Sequence, residues 1–336
     1  MSAQKLKIFL SLAAISFLIF GLSNNLCSQT GWPRAVSIAG ANIGSTGYVF
    51  SGAWAKILSD TLKVNVRVEV TTGPSANVLL THKNDTDFGD TSMLVASEGY
   101  SGTGWAQGKK QSNIRIIFPQ AAAYLHWWVL AKYPIYTIHD MKGYDINLSG
   151  AGSTPDVVGR RLFEFFNIKP NRIINGGFGD ANDLMRDGLL PAIANFGGIP
   201  HPSIAEIAIT HEIRIVGVSK SDGEKFIAKN PGLSLGTIPA RTYKWQDKPV
   251  DSLSMWRAMI CNKDLPEDFI YAVLRETFQN RDALIAAIKA SEDIIPENIK
   301  YVFNDLPLHA GAVRYYREKG ISIPDVAIPP EYKKRP

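Results

Sequence analysis

Two glycine-rich turns carry the residues of this chain best suited to holding a ligand. Gly44-Ser45-Thr46-Gly47 and Ser149-Gly150-Ala151-Gly152-Ser153 each stand between a short apolar run and a helical pattern. A turn that opens a helix directs unpaired backbone N–H groups and the positive helix end at one point, which suits a carboxylate or a phosphate. The hydroxyls of Ser45, Thr46, Ser153 and Thr154 add donors without adding charge. Glycines in one such turn serve equally well to let the chain bend, whereas two turns in analogous places point to anion binding. Neither holds the lysine of a phosphate loop, and neither is a GxGxxG followed by a suitable acid, so nucleotide binding has no support.

Signals for catalysis are absent. The histidines at 82, 126, 139, 201, 211 and 309 form no HExxH and no pair with metal-ligand spacing, and there is no GxSxG elbow. His126-Trp127-Trp128 lies in an apolar, strand-like context that favours packing, as does Tyr315-Tyr316 in a late helix. His309 has no acid or cysteine partner in sequence reach and reads as a packing or capping histidine. Cys27 and Cys261 are the two cysteines, too few for a disulfide framework or a Cys-type zinc site. No cofactor is expected, and the chain does not read as an enzyme.

The elements that must position the turns alternate. Residues 36–40 form an apolar strand, and Phe50, Ala53, Trp54, Ile57 and Leu58 recur at helical spacing after the first turn. Val64, Val66, Val68 and Val70 alternate as in a half-buried strand. Residues 144–148 form the strand before the second turn, and Thr154-Pro155 reads as an N-cap followed by proline at the first helical position. Residues 193–196 and 213–218 continue the alternation, and the chain is mainly helical from about Pro266. The succession predicts an α/β fold with mostly parallel sheets flanked by helices. Two turns about a hundred residues apart predict two lobes, each presenting one.

Composition agrees. The 336 residues are 45% apolar and 20% charged, which excludes wholesale disorder. The formal charge of +5 is dispersed apart from Lys333-Lys334-Arg335, so no nucleic-acid partner is expected. Residues 1–23 read as a signal peptide: Lys5 and Lys7 precede fifteen mostly apolar residues, 8–22, with Gly21 and Ser23 at the cleavage positions. A membrane-spanning helix needs about twenty. An uncleaved anchor and lipid attachment at Cys27 are the alternatives. Cleavage leaves a charge of +3 and a soluble protein expected in the periplasm.

Five segments occur in order: Gly44-Ser45-Thr46-Gly47-Tyr48, Thr72-Gly73-Pro74-Ser75-Ala76-Asn77, Gly150-Ala151-Gly152-Ser153-Thr154, Gly197-Gly198-Ile199-Pro200, and a C-terminal run from Leu308-His309-Ala310-Gly311 to Gly320. Together they resemble the TAXI family, the solute receptors of tripartite ATP-independent periplasmic (TRAP) transporters, over residues 36–320. The resemblance implies a bilobal type II periplasmic-binding fold whose two sheets are joined by crossover strands. Its first lobe would comprise residues 35–125 and 241–322, its second 126–240, with a tail at 323–336. It implies a monomer that captures a small carboxylate, such as a dicarboxylate, 2-oxo acid or acidic amino acid, and hands it to a membrane permease. The implied ligand contacts are Ser45, Thr46, Gly47, Tyr48, Ser75, Asn77 and Ser92 from the first lobe. Gly152, Ser153 and Thr154 would come from the second, with Asn195 and Phe196 at the cleft.

The chain departs from the family at Ser45-Thr46, where relatives carry Gly-Gly, and at Tyr48-Val49, where they carry two tyrosines. Met93 and Pro191 stand where aspartates are usual. Fewer acids near the cleft favour an anionic, less amino-bearing ligand. A receptor serving a sensor kinase or an ABC importer, and an enzyme on the same bilobal fold, are the competing readings.

Overall fold

The computed structural model describes residues 31–230 and 232–333, so the leader and Cys27 lie outside the described residues. The chain opens with strand β1 (Ala35–Ala41), buried after its first residue, as a strand covered on both faces must be. Helix α1 (Thr46–Leu62) follows and buries Phe50, Trp54, Ile57 and Leu58, the face read from its spacing. Strand β2 (Asn65–Val70) lies at the sheet edge, followed by α2 (Pro74–Lys83), β3 (Phe88–Ser92) and α3 (Met93–Ser101). β1 pairs parallel with both β2 and β3.

Strand β4 (Ile114–Leu130) then runs for 17 residues. After it come β5 (Asp145–Asn147), α4 (Thr154–Phe165), β6 (Arg172–Ile174), α5 (Phe178–Arg186) and β7 (Ala192–Gly197). Next are α6 (Pro202–Ile207), β8 (Ile213–Val216), α7 (Lys220–Ile227) and β9 (Ser234–Ile238). The chain returns along β10 (Val250–Asn262) and ends in α8 (Glu267–Gln279), α9 (Arg281–Ala287) and α10 (Ala310–Glu318).

Among the described residues the strands form one sheet in the order β2-β1-β3-β10-β4-β7-β5-β6, with β8 on β4 and β9 on β10. The two sheets expected are thus joined into one, mixed rather than mostly parallel. The cause is length. At about 3.3 Å per residue, β4 and β10 reach well beyond the short strands around them. Asn262 to Ser254 of β10 run antiparallel against β4 from Ile114 to Tyr124, and the rest of β4 pairs with β7 and β8. The register between β4 and β10 slips on either side of Arg257, where Trp256 faces Ala122 but Ala258 faces Pro119. A bulge of this kind bends the strand and re-aims a side chain.

The core divides with the sheet. Trp54 packs edge-on against Phe88 and Phe118, with its Nε1–H on Thr277 Oγ1 at 2.8 Å. Trp127 and Trp128 are adjacent in β4 and so point to opposite faces. Trp127 belongs to a cluster with Ile146, Val158 and Phe196, and Trp128 to another with Phe178, Ile193 and Ile204. Both are fully buried, which is the packing role their context favoured.

One boundary differs from the sequence reading. Ser153, not Thr154, caps α4, because its side chain accepts from Asp156 N and places Thr154-Pro155 inside the helix. α10 starts at Ala310, with His309 as its cap: Nδ1 accepts from Gly311 N at 3.1 Å while Nε2 meets Leu265 O at 3.0 Å.

Candidate functional site

Both glycine-rich turns open into one cleft. Ser45 enters as the N-cap of α1, held by a turn from Asn42 and accepting from Tyr48 N at 3.1 Å. Facing it, Ser149 donates to Ala194 O at 2.6 Å, and Ser153 donates to Leu148 O at 3.2 Å. Ser92, at the end of β3, caps α3 and accepts from Thr154 Oγ1 at 2.8 Å, so these two hydroxyls meet across the cleft. Asn195 and Phe196 of β7 line its floor.

Among the described residues one side chain in the lining carries charge: Arg257 of β10, opposite the extra residue that bulges β4. Its side chain is 12% exposed and paired with Asp90, which is fully buried. Burial raises the Asp90 carboxyl above its usual range, and the guanidinium acts in the opposite direction. Nη1 of Arg257 also donates to Thr46 Oγ1 at 3.3 Å, while its buried Nε–H has no protein partner. Gly47 makes room for this pair. A Cβ there would overlap both the carboxylate and the guanidinium.

Asn195 is held from behind by His201, whose Nε2 lies 2.6 Å from Asn195 Nδ2. His201 is fully buried between Trp128 and Phe178, donates its backbone N–H to Tyr243 Oη, and stands 6.0 Å from the His126 ring. Burial holds both imidazoles neutral, lowering His126 to about 4 and His201 well below its usual range. A neutral His201 that accepts from Nδ2 leaves Asn195 Oδ1 as the atom available to a ligand.

The structure therefore gathers Ser45, Ser92, Ser153, Thr154, Asn195 and Phe196 around the cleft. Thr46 faces an adjoining smaller pocket and accepts from Gly198 N at 3.4 Å. Ser75 donates to Gly152 O, and Gly152 N donates to Asp156 Oδ2 at 2.9 Å, so these groups are engaged within the protein. Asn77 is buried, donating to Asp90 O at 2.6 Å and accepting from Thr71 Oγ1. Tyr48 is partly exposed and does not line the cleft. Arg257, Asn42, Thr72 and Ser149 join the lining without having been read from the sequence. The available signal was an arginine inside the apolar run from Leu253 to Cys261. Among the described residues no group of three or more His, Cys, Asp or Glu could hold a metal ion, and no helix is long and apolar enough to cross a membrane.

The architecture is that of periplasmic solute-binding proteins. MatC from Rhodopseudomonas palustris, solved with bound malate, superimposes with a TM-score of 0.57 at 9% identity, over 85% of this chain and 96% of that one. The periplasmic binding protein BugD gives 0.53 at 11% identity, over 77% and 85% of the two chains. A structure described as a periplasmic transporter gives 0.53 at 14%, over 84% and 92%. These likenesses establish the fold. Residues 38–320 match the NMT1-like family, and the chain belongs to it.

Proposed function

We propose that this protein is an exported receptor that captures a small carboxylate between two lobes and delivers it to a TRAP permease, as a TAXI-type subunit. The observation that carries the reading is the cleft itself: hydroxyls from both glycine-rich turns converge on a cavity where Arg257 is the one charged lining group among the described residues. A guanidinium with hydroxyl and amide neighbours is the donor set that a carboxylate requires. The malate bound to MatC is consistent with a carboxylate in a cleft of this fold. The lobes are residues 35–125 with 241–322, and 126–240. Hydrogen bonds across the cleft, Thr154 to Ser92 and Ser203 Oγ to Gly44 O at 3.0 Å, favour closure as the means of grip.

Calorimetric titration of the mature protein with mono-, di- and keto-carboxylates tests the reading. Binding is expected, and Ser45→Ala with Thr46→Ala should weaken it at least tenfold, since a hydrogen bond to a charged group contributes about 1.5–3 kcal/mol. Absence of binding by any carboxylate would overturn it.

A further inference from the structure

We infer that the cleft selects a short 2-hydroxy monocarboxylate, of three or four carbons, over dicarboxylates, 2-oxo acids and amino acids. The inference rests on the carboxylate reading above and narrows it.

Charge comes first. Arg257 is the one ionised side chain among the described residues that line the cleft, and part of its donor set is already committed to Asp90 and Thr46. The N–H groups it does not give to Asp90 or Thr46 leave capacity for one carboxylate. A second carboxylate would have to be met by the α4 end, and that end already holds an anion. Asp156 lies in the first turn of α4, takes the Gly152 N–H, and is itself largely buried. Asp156 also accepts from Arg160 Nε at 2.8 Å and Asn175 Nδ2 at 2.9 Å, so the helix end is satisfied from within and offers little to a second carboxylate.

The polarity of the far side gives the second group. Ser149 and Ser153 both spend their hydroxyl protons on backbone carbonyls, of Ala194 and Leu148. Asn195 directs one amide proton to His201 and offers Oδ1. The serine lone pairs and Asn195 Oδ1 therefore accept from the ligand, so the matching ligand group is a donor. A hydroxyl supplies one; a keto oxygen does not. An ammonium would donate too, but no carboxylate lines the cleft to balance it.

Size agrees. About 40 Å³ of the cleft is open to the centres of water molecules. At roughly 10–15 Å³ per water position this is room for about three or four waters, of about 30 Å³ each in the liquid, which a molecule of about six heavy atoms fills.

Titration of the mature protein at pH 7 with lactate, pyruvate, alanine, malate and 2-oxoglutarate decides. Lactate should bind at least tenfold more tightly than each of the others. Tighter binding of malate, 2-oxoglutarate, pyruvate or alanine would overturn the inference while a carboxylate receptor stands; binding of none would overturn both. Asp156→Asn should raise the affinity for malate relative to lactate about fivefold by freeing the helix end. An unchanged ratio would remove Asp156 from the discrimination, and the wild-type comparison holds even if the variant folds poorly.

Discussion

Arg257 and Asp90 form a buried pair on which stability depends and, in the proposed reading, recognition too. Removing one partner of such a pair leaves an uncompensated charge, at a cost of about 3–5 kcal/mol. Arg257→Gln should therefore lower the urea midpoint sharply and abolish ligand binding. Adding Asp90→Asn should restore most of the stability but none of the binding. If the double variant binds as wild type does, Arg257 is not a ligand contact. Three other buried groups set the response to pH. His126 and His309 are lowered by burial to about 4, and His201 is lowered further. Their ordinary value is 6.5, so on acidification the unfolded chain takes up protons before the folded one does. The stability they contribute is complete above about pH 6.5 and declines as the pH falls toward 4. Asp90, raised above its ordinary 3.8, acts in the opposite sense and is outnumbered. Urea denaturation at pH 7 and pH 5 should show a lower midpoint at pH 5; a flat profile would mean that the imidazoles are protonated in the fold.

At the scale of elements, local patterns explain why some parts of this fold were legible and others were not. The helix after each glycine-rich turn was marked locally, the first by apolar spacing and the second by its Thr-Pro start, although the cap of the second is Ser153. The same locality exposed the hydroxyls of Ser45, Ser153 and Thr154. Arg257 was hidden because its role comes from a bulge between β4 and β10 and from Asp90, 167 residues away. Asp156 was in plain view as a first-turn acid, but its capture of the Gly152 N–H depends on how the turn bends at Gly152, with φ at +71°. The joining of two sheets into one was equally out of reach, since strand length in an apolar run says nothing about how many partners the strand has. Turn chemistry is local, register is not.

Across the whole molecule, the proposed closure would draw on groups beyond the cleft. Glu98 on α3 holds Arg161 on α4 by two hydrogen bonds of 2.7 and 2.8 Å, linking the chain before β4 to the chain after it. In the two-lobe reading this pair favours the closed form without touching ligand. Arg161→Met should then weaken ligand affinity several-fold, and small-angle scattering should show the free variant more expanded than the free wild type. Equal radii of gyration, with equal affinity, would assign the pair to surface packing. The shared sheet sets a different kind of limit. β4 passes from the first proposed lobe into the second, and β10 pairs with β3, β4 and β9, so the two proposed lobes share one sheet. Genetic recombination that replaced residues 126–240 would break the run of β4 and the pairing of β9 with β10. Exchange of the loops and lining residues around the cavity would leave that frame whole.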